Sequence, residues 1–362
     1  MKTAVQNKYD YLIAGQGLAG TVIAHLLLER GRKICIIDEP SLSSSSKVAA
    51  GLFNPVVFKR LVKSWMAEEQ LHFAEDFYPK MEVLLKARFF YKKELVKIFA
   101  EEQEKTLWEK KRSAELSTYL SAIQAGSAVG DSIHAEQGYA FVSCAGYLDV
   151  PLFLELSRNY FLAQNLILHE KFNHALLTFS DEMVTYRSLG AKRILFCEGH
   201  LAASNPWFSW MPFNLAKGEV LTVKIPGYTV DKVVNKGIFI LPLGNGLYRV
   251  GSTFAWDKLD ELPTEAGKAD LIQRLEKVLK LPYEIMDHRA GIRPTVINRR
   301  PLIGVHPKHP ALCMFNGMGS KGVMIAPLFA DHFIAHLQEG VMLNPEVDIR
   351  RFYKEPAPGN KG

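Results

Sequence analysis

Residues 9–39 read YDYLIAGQGLAGTVIAHLLLERGRKICIIDE, and their spacing decides the fold. An apolar run over 9–14 is strand-like, Gly15, Gly17 and Gly20 follow it, and 18–29 then has the apolar pattern of a helix. After Gly31 a second apolar run, 34–37, ends in Asp38 and Glu39. This is a complete βαβ unit whose acid stands 18 residues beyond Gly20. In such a unit Gly15 allows the tight turn, Gly17 lets the backbone approach a pyrophosphate, and Gly20 lets helix and strand pack closely. Gln16, Leu18 and Ala19 complete the turn. The helix N-terminus offers free N–H groups and partial positive charge to phosphates, and Asp38 accepts from an adenosine ribose.

A second glycine turn lies near the other end. The strand-like run 312–315 leads to Gly317, Met318, Gly319, Ser320, Lys321 and Gly322, and 323–337 is helical. One βαβ unit would serve NAD as readily as FAD. Two glycine turns so far apart suggest a chain that returns to one ligand, which favours FAD.

Length and composition are compatible with this reading. A chain of 362 residues accommodates two lobes, and a net charge of +6 allows an anionic substrate without requiring nucleic acid. Cys35, Cys144, Cys197 and Cys313 are widely separated, and the expectation is buried thiols in a reducing cytoplasm. No spacing points to a metal site, and 306–310, which holds His306 and His309, reads as a loop. Lys2 and Lys8 before the apolar stretch 12–28 have the look of a secretion signal, but three glycines, His25 and the continuing strand argue against one. No run is apolar enough to span a bilayer.

Between the two turns the chain alternates in character. The serine run 41–46 reads as a linker; 61–85 reads as a helix broken at Pro79, 89–99 as a strand or strand pair, and 101–120 as a charged outer helix. Strand signals recur at 139–144, and Asp149 with Pro151 reads as N-cap and first position of a helix to Leu162. Short strands are expected over 166–172, 175–179, 183–187 and 194–197, the last two separated by Gly190. Antiparallel strands are expected over 219–225, 237–241 and 248–254, with a turn at 244–246, and an amphipathic helix over 266–279. The expected cofactor domain is assembled from residues 1–75, 139–215 and 285–362, and the substrate domain from 76–138 and 216–284.

Five patches together resemble the D-amino-acid oxidase family of FAD enzymes, in its glycine and sarcosine oxidase branch. They are the βαβ unit; Ser46, Lys47, Val48, Ala49, Ala50, Gly51; residues 146–151, GYLDVP; GIRP at 291–294 with RPLIG at 300–304; and 316–327. The resemblance implies an α/β plus α+β protein, a Rossmann-like FAD domain of the GR2 type with an inserted antiparallel-sheet substrate domain. It implies non-covalent FAD, since the covalent-attachment cysteine motif is absent, and adenosine contacts at Phe172, Cys197, Glu198 and Gly199. It implies hydride transfer from an amine's α-carbon to flavin N5, followed by imine hydrolysis. Arg293 matches the family's carboxylate arginine, Phe239 falls where glycine oxidase has a tyrosine, and Phe254 falls on an apolar pocket position.

Residues 238–254 and 317–330 are also similar to the FAD half of bifunctional bacterial enzymes that trim carboxymethylaminomethyl-uridine in tRNA, although 362 residues leave no room for their methyltransferase half. The expectations are thus a small amine or amino-acid substrate, with a modified tRNA uridine, or the role of flavoprotein subunit in an amine dehydrogenase, as alternatives.

Overall fold

The structure is a computed structural model that describes residues 7–39, 44–126 and 130–354. Lys2, Pro40 and Ser41 to Ser43 of the serine run lie outside these. The chain forms two compact units, Met1–Ser41 with Leu154–Leu215 and Arg293–Gly362, and Leu42–Phe153 with Ala216–Ile292. The expectation had put 42–75, 139–153 and 285–292 in the cofactor domain. These segments make their local pairings within the second unit, where Leu52–Phe53 and Phe90–Lys92 both bond to Gly146–Leu148.

The first unit is built on a mainly parallel sheet. Its central strands Ile34–Ile37, Asn7–Ala14 and Leu189–Phe196 run parallel, with Ile167–Leu168 at one edge. Leu189–Phe196 is shared on its other side, by the antiparallel Val184–Tyr186 at its start and by the parallel His309–Asn316 at its end. Residues 34–37 are buried throughout, as expected for a sheet covered on both faces. The helices Leu18–Glu29 and Gly322–Glu339 pack together, and Arg30 ties them by an ion pair to Asp331 at 2.6 Å.

Helix Leu18–Glu29 buries His25. The imidazole packs tilted against Tyr160 and Phe161, with centroids 5.6 and 4.8 Å away, and its Nε2 lies 2.9 Å from Ser157 Oγ. Burial pushes its pKa down to about 3. Since an unfolded histidine titrates near about 6.5, the unfolded chain binds more protons between these values. The stabilisation from neutral His25 is therefore complete above the unfolded pKa and declines as the pH falls toward 3. Calorimetry between pH 7 and 4 is expected to show Tm falling with acid, and a shallower fall in His25→Phe; equal slopes would contradict the assignment.

The second unit centres on a seven-stranded sheet in the order Glu284–Arg293, Ala216–Lys224, Leu247–Gly251, Phe239–Gly244, Val233–Asn235, Leu95–Ile98, Tyr139–Val142. Strand alternation divides its residues between two faces. Leu221, Val223, Ile240 and Val250 pack with Leu271 and Leu275 of helix Glu265–Glu276. Leu95, Val142, Val233 and Leu241 pack with Phe99, Trp108 and Leu116.

Several local expectations change. The first long helix is Ala67–Leu85, not 61–85, because Leu61 and Met66 take left-handed backbone angles, and Pro79 is carried inside it. The charged helix shortens to Glu102–Arg112, and its Trp108 is buried with its indole N–H on the Ser121 carbonyl. Asp149 does cap the helix Val150–Ala163, accepting from the Leu152 N–H at 3.2 Å, but Pro151 stands at the second helical position. Gly190 lies within a strand, and the turn before it passes through left-handed Arg187. Residues 306 and 309 face each other across a hairpin rather than in a loop. Cys144 is exposed, whereas the other three cysteines are buried thiols.

Candidate functional site

The first glycine turn is fixed by backbone. Gly15 has φ of 101°, and a Cβ there would lie 2.7 Å from the Cys197 carbonyl oxygen. A Cβ on Gly20 would lie 1.9 Å from the Gly15 carbonyl oxygen, so only glycine lets helix and turn close. Gly17 is the N-cap, with no side-chain cap on the first turn. Such a turn leaves N–H groups to be satisfied by a ligand.

Asp38 closes this turn. Its Oδ1 accepts from the Gln16 N–H at 2.8 Å, and its Oδ2 accepts from Arg158 Nη1 at 2.8 Å. Arg158 also donates to Gln16 Oε1 at 3.0 Å, and Gln16 Nε2 donates to the Leu154 carbonyl at 3.0 Å. Helix Val150–Ala163 thus sends one arginine back to Asp38. Sequence reading missed Arg158, since an arginine on a helix has no local mark distinguishing it from a solvated charge. Glu39 is exposed beside this arrangement. Removing Arg158 as Met should strip a charge-assisted bond worth about 2 kcal/mol and weaken FAD binding by at least about tenfold. Equilibrium dialysis of the apoprotein with FAD would check this, and unchanged affinity would remove Arg158 from the site.

The expected adenosine residues also lie in this unit. Phe172 stacks on Tyr186 with centroids 4.8 Å apart. The Cys197 N–H donates to the Ala14 carbonyl at 2.9 Å, and burial raises its thiol far above the usual range, so Cys197 is present as backbone and neutral sulfur. The Glu198 side chain is buried and accepts from Asn205 Nδ2 at 2.8 Å; His174 Nε2 approaches it at 2.7 Å without hydrogen-bond alignment. Gly199 opens a 3-10 turn, and its carbonyl accepts from Asn316 Nδ2 at 3.0 Å.

Asn316 leads directly into the second glycine turn. Gly317 and Gly319 have φ of 75° and 56°, and a Cβ on Gly317 would meet Val296 Cγ2 at 2.8 Å and the Leu302 nitrogen at 3.0 Å. A Cβ on Gly322 would lie 3.3 Å from Leu18 Cδ2 of the first turn. The two glycine turns are therefore neighbours, each opening a helix without a side-chain cap. Met318 is buried, Ser320 and Lys321 stand in the short 3-10 turn, and burial lowers Lys321 to about 8. Arg293 ends the strand Glu284–Arg293, its carbonyl accepting from the Thr295 N–H, and Thr295 and Val296 border Gly319 and Gly317. Burial pushes Arg293 down to about 10.

In the second unit, Ser46 and Lys47 lie in the short helix Ser45–Val48, followed by Ala49, Ala50 and Gly51. A Cβ on Gly51 would stand 1.9 Å from the Leu148 carbonyl oxygen, and one on Gly291 would stand 3.1 Å from Ser45 Cα. Two of the family-like patches, 46–51 and 146–151, and the first residue of the GIRP patch thus meet within this unit. Phe239 lies across from Gly251 in the sheet. Phe254 lies beyond the end of strand Leu247–Gly251, 54% exposed and stacked on Trp256. Among the described residues no group of three His, Cys, Asp or Glu side chains is placed to hold a metal ion, and no helix is long and apolar enough to cross a membrane.

Residues 10–336 match the DAO family model, described as FAD dependent oxidoreductase. The chain belongs to the DAO family. FAD is this family's cofactor, and the paired uncapped glycine turns with Asp38 fit it. Among similar proteins, the bifunctional tRNA 5-methylaminomethyl-2-thiouridine biosynthesis protein of Marinobacter nauticus is 23% identical over 95% of this chain. The chain spans 58% of that relative's length. Glycine oxidase from Geobacillus kaustophilus superposes with a TM-score of 0.80 at 19% identity, covering 96% of this chain and 98% of that one. Iminodiacetate oxidase from Chelativorans gives 0.79 at 17% identity, covering 94% and 98%. The last two likenesses support the DAO fold.

Proposed function

We propose that this FAD-dependent oxidoreductase oxidises the C–N bond of a small amino acid or secondary amine, releasing an imine that water hydrolyses. The observation that carries the reading is the position of Arg293, a half-buried cation at the start of the segment that borders the Gly317–Gly319 turn. A guanidinium there suits a planar carboxylate, because it is always charged and can donate bidentately. Bound FAD supplies the two-electron acceptor. The Gly15, Gly17 and Gly20 turn with Asp38, Gln16 and Arg158 would hold its ADP half. The uncapped turn at 319–322 would place N–H groups and the positive helix end by its ring, where negative charge develops on reduction. Lys321, lowered to about 8, stays mainly protonated at pH 7 and adds positive charge to that turn. Arg293 fixes the amine's orientation, which is most of what such a reaction asks of the protein.

Anaerobic addition of glycine, sarcosine, D-alanine and L-proline to the flavin-loaded protein tests the reading. Bleaching of the visible flavin band by at least one of them is expected. Persistent yellow colour with every amine would favour a flavoprotein subunit lacking its own turnover.

A second reading is that the amine is an aminoalkyl group on a tRNA uridine. The Marinobacter relative, alignable over 95% of this chain, supports it, as does the net charge of +6. Filter binding at rising salt separates the readings. Affinity for tRNA well above that for an unrelated polyanion favours RNA, and equal affinity favours the free amine.

A further inference from the structure

Arg249, in the second unit, has no part in the arrangement described so far. Strand alternation sends its neighbours Tyr248 and Val250 into the core under helix Glu265–Glu276. Arg249 therefore projects to the opposite face, between its cross-strand partners Leu241 and Thr222. Phe239 stands on that face too, across from Gly251, whose missing side chain makes room for its ring: a Cβ there would lie 3.0 Å from Phe239 Cζ.

The guanidinium is poorly satisfied. Its Nη1 donates to the Ala49 carbonyl at 3.3 Å, while its Nε is closed to solvent and without a partner. Among the described residues no carboxylate comes within ion-pair distance. Asp149, which accepts from the Leu152 N–H, and Asp287, paired with Arg289 at 2.5 Å, act on its charge only from beyond that distance. Burial lowers the pKa of Arg249 below the usual arginine value. Buried cations are ordinarily paired, because desolvation penalises an isolated charge. A cation built into an apolar face with one neutral acceptor has the features of an anion site.

We propose that Arg249 is an anion-binding residue of the second unit that takes a carboxylate. A carboxylate balances one guanidinium charge and matches its planar pair of donors.

Calorimetry with malonate, a carboxylate that has no C–N bond to oxidise, tests the site in the flavin-loaded protein. Malonate should bind while its neutral analogue malonamide does not. Arg249→Met should weaken malonate at least tenfold with the flavin spectrum and Tm retained, and Arg249→Lys should recover part of the loss. Absence of malonate binding to the unaltered protein, equal affinity in Arg249→Met, or tighter binding of inorganic phosphate than of malonate would each overturn the proposal. Arg249-dependent malonate binding in a protein whose flavin no amine bleaches would leave the anion site standing and refute amine oxidation.

Discussion

Arg293→Met is expected to raise KM for the amine substrate about 100-fold, while FAD content and the flavin spectrum stay unchanged. Methionine keeps much of the arginine's apolar bulk, so the change isolates the charged donors. Two charge-assisted hydrogen bonds to a carboxylate contribute about 3 kcal/mol, equivalent to roughly two decades of binding. The desolvation that lowers Arg293 to about 10 makes the bonds matter more, since little water competes for the guanidinium. Steady-state kinetics on flavin-loaded protein would show the effect in KM more than in kcat if Arg293 binds ground and transition states alike. Unchanged kinetics would show that Arg293 serves only to hold the 293–296 segment.

Gly20→Ala is expected to yield a protein that retains little or no FAD. The new methyl would stand 1.9 Å from a backbone carbonyl oxygen, and no flexible side chain can yield there. Relief requires the helix Leu18–Glu29 to move away from the turn, displacing the N–H groups that would face the phosphates. Overpacking of this kind costs about 1–3 kcal/mol in stability, and the loss of cofactor linkage adds to it. Gly31→Ala is the control: its φ of 66° strains alanine, a penalty that Gly20 inside its helix does not carry, but nothing lies within 4 Å of the added carbon. FAD released by denaturation and measured per chain should be near zero for the first variant and near normal for the second. Full FAD occupancy in Gly20→Ala would mean that the turn tolerates opening and that the glycine is dispensable.

What could be read from the sequence follows the range of the interactions. The βαβ unit was legible almost to the residue, because an apolar strand, a glycine turn and an amphipathic helix are local patterns. Helix Leu18–Glu29 and strand Ile34–Ile37 fall where the spacing places them. The hairpin at 244–246 was legible for the same reason, and all three of its residues adopt positive φ.

Arg158 was not legible. Its partner Asp38 lies 120 residues away, and only the fold brings the two together. The strands Leu52–Phe53, Val56–Val57 and Val62–Lys63 are two residues each, too short to carry a period, so the start of the following helix was misplaced. Phe254 continues the alternation of its strand in sequence, but the regular ladder breaks after Gly251, resuming only as a bridge at Ala255, and the ring is left half in solvent. Arg249 fell within a stretch read only as strand, because its burial depends on the 49–52 segment that reaches it from another part of the chain.

The central claim is that two glycine turns, more than 290 residues apart in sequence and adjacent at Leu18 and Gly322, hold one FAD. The most direct test is the visible absorption spectrum of the protein after incubation with FAD and removal of the excess. The account predicts oxidised-flavin bands with about one FAD per chain, released intact on denaturation because no covalent bond holds it. A colourless protein, or one whose flavin remains attached after denaturation, would contradict it.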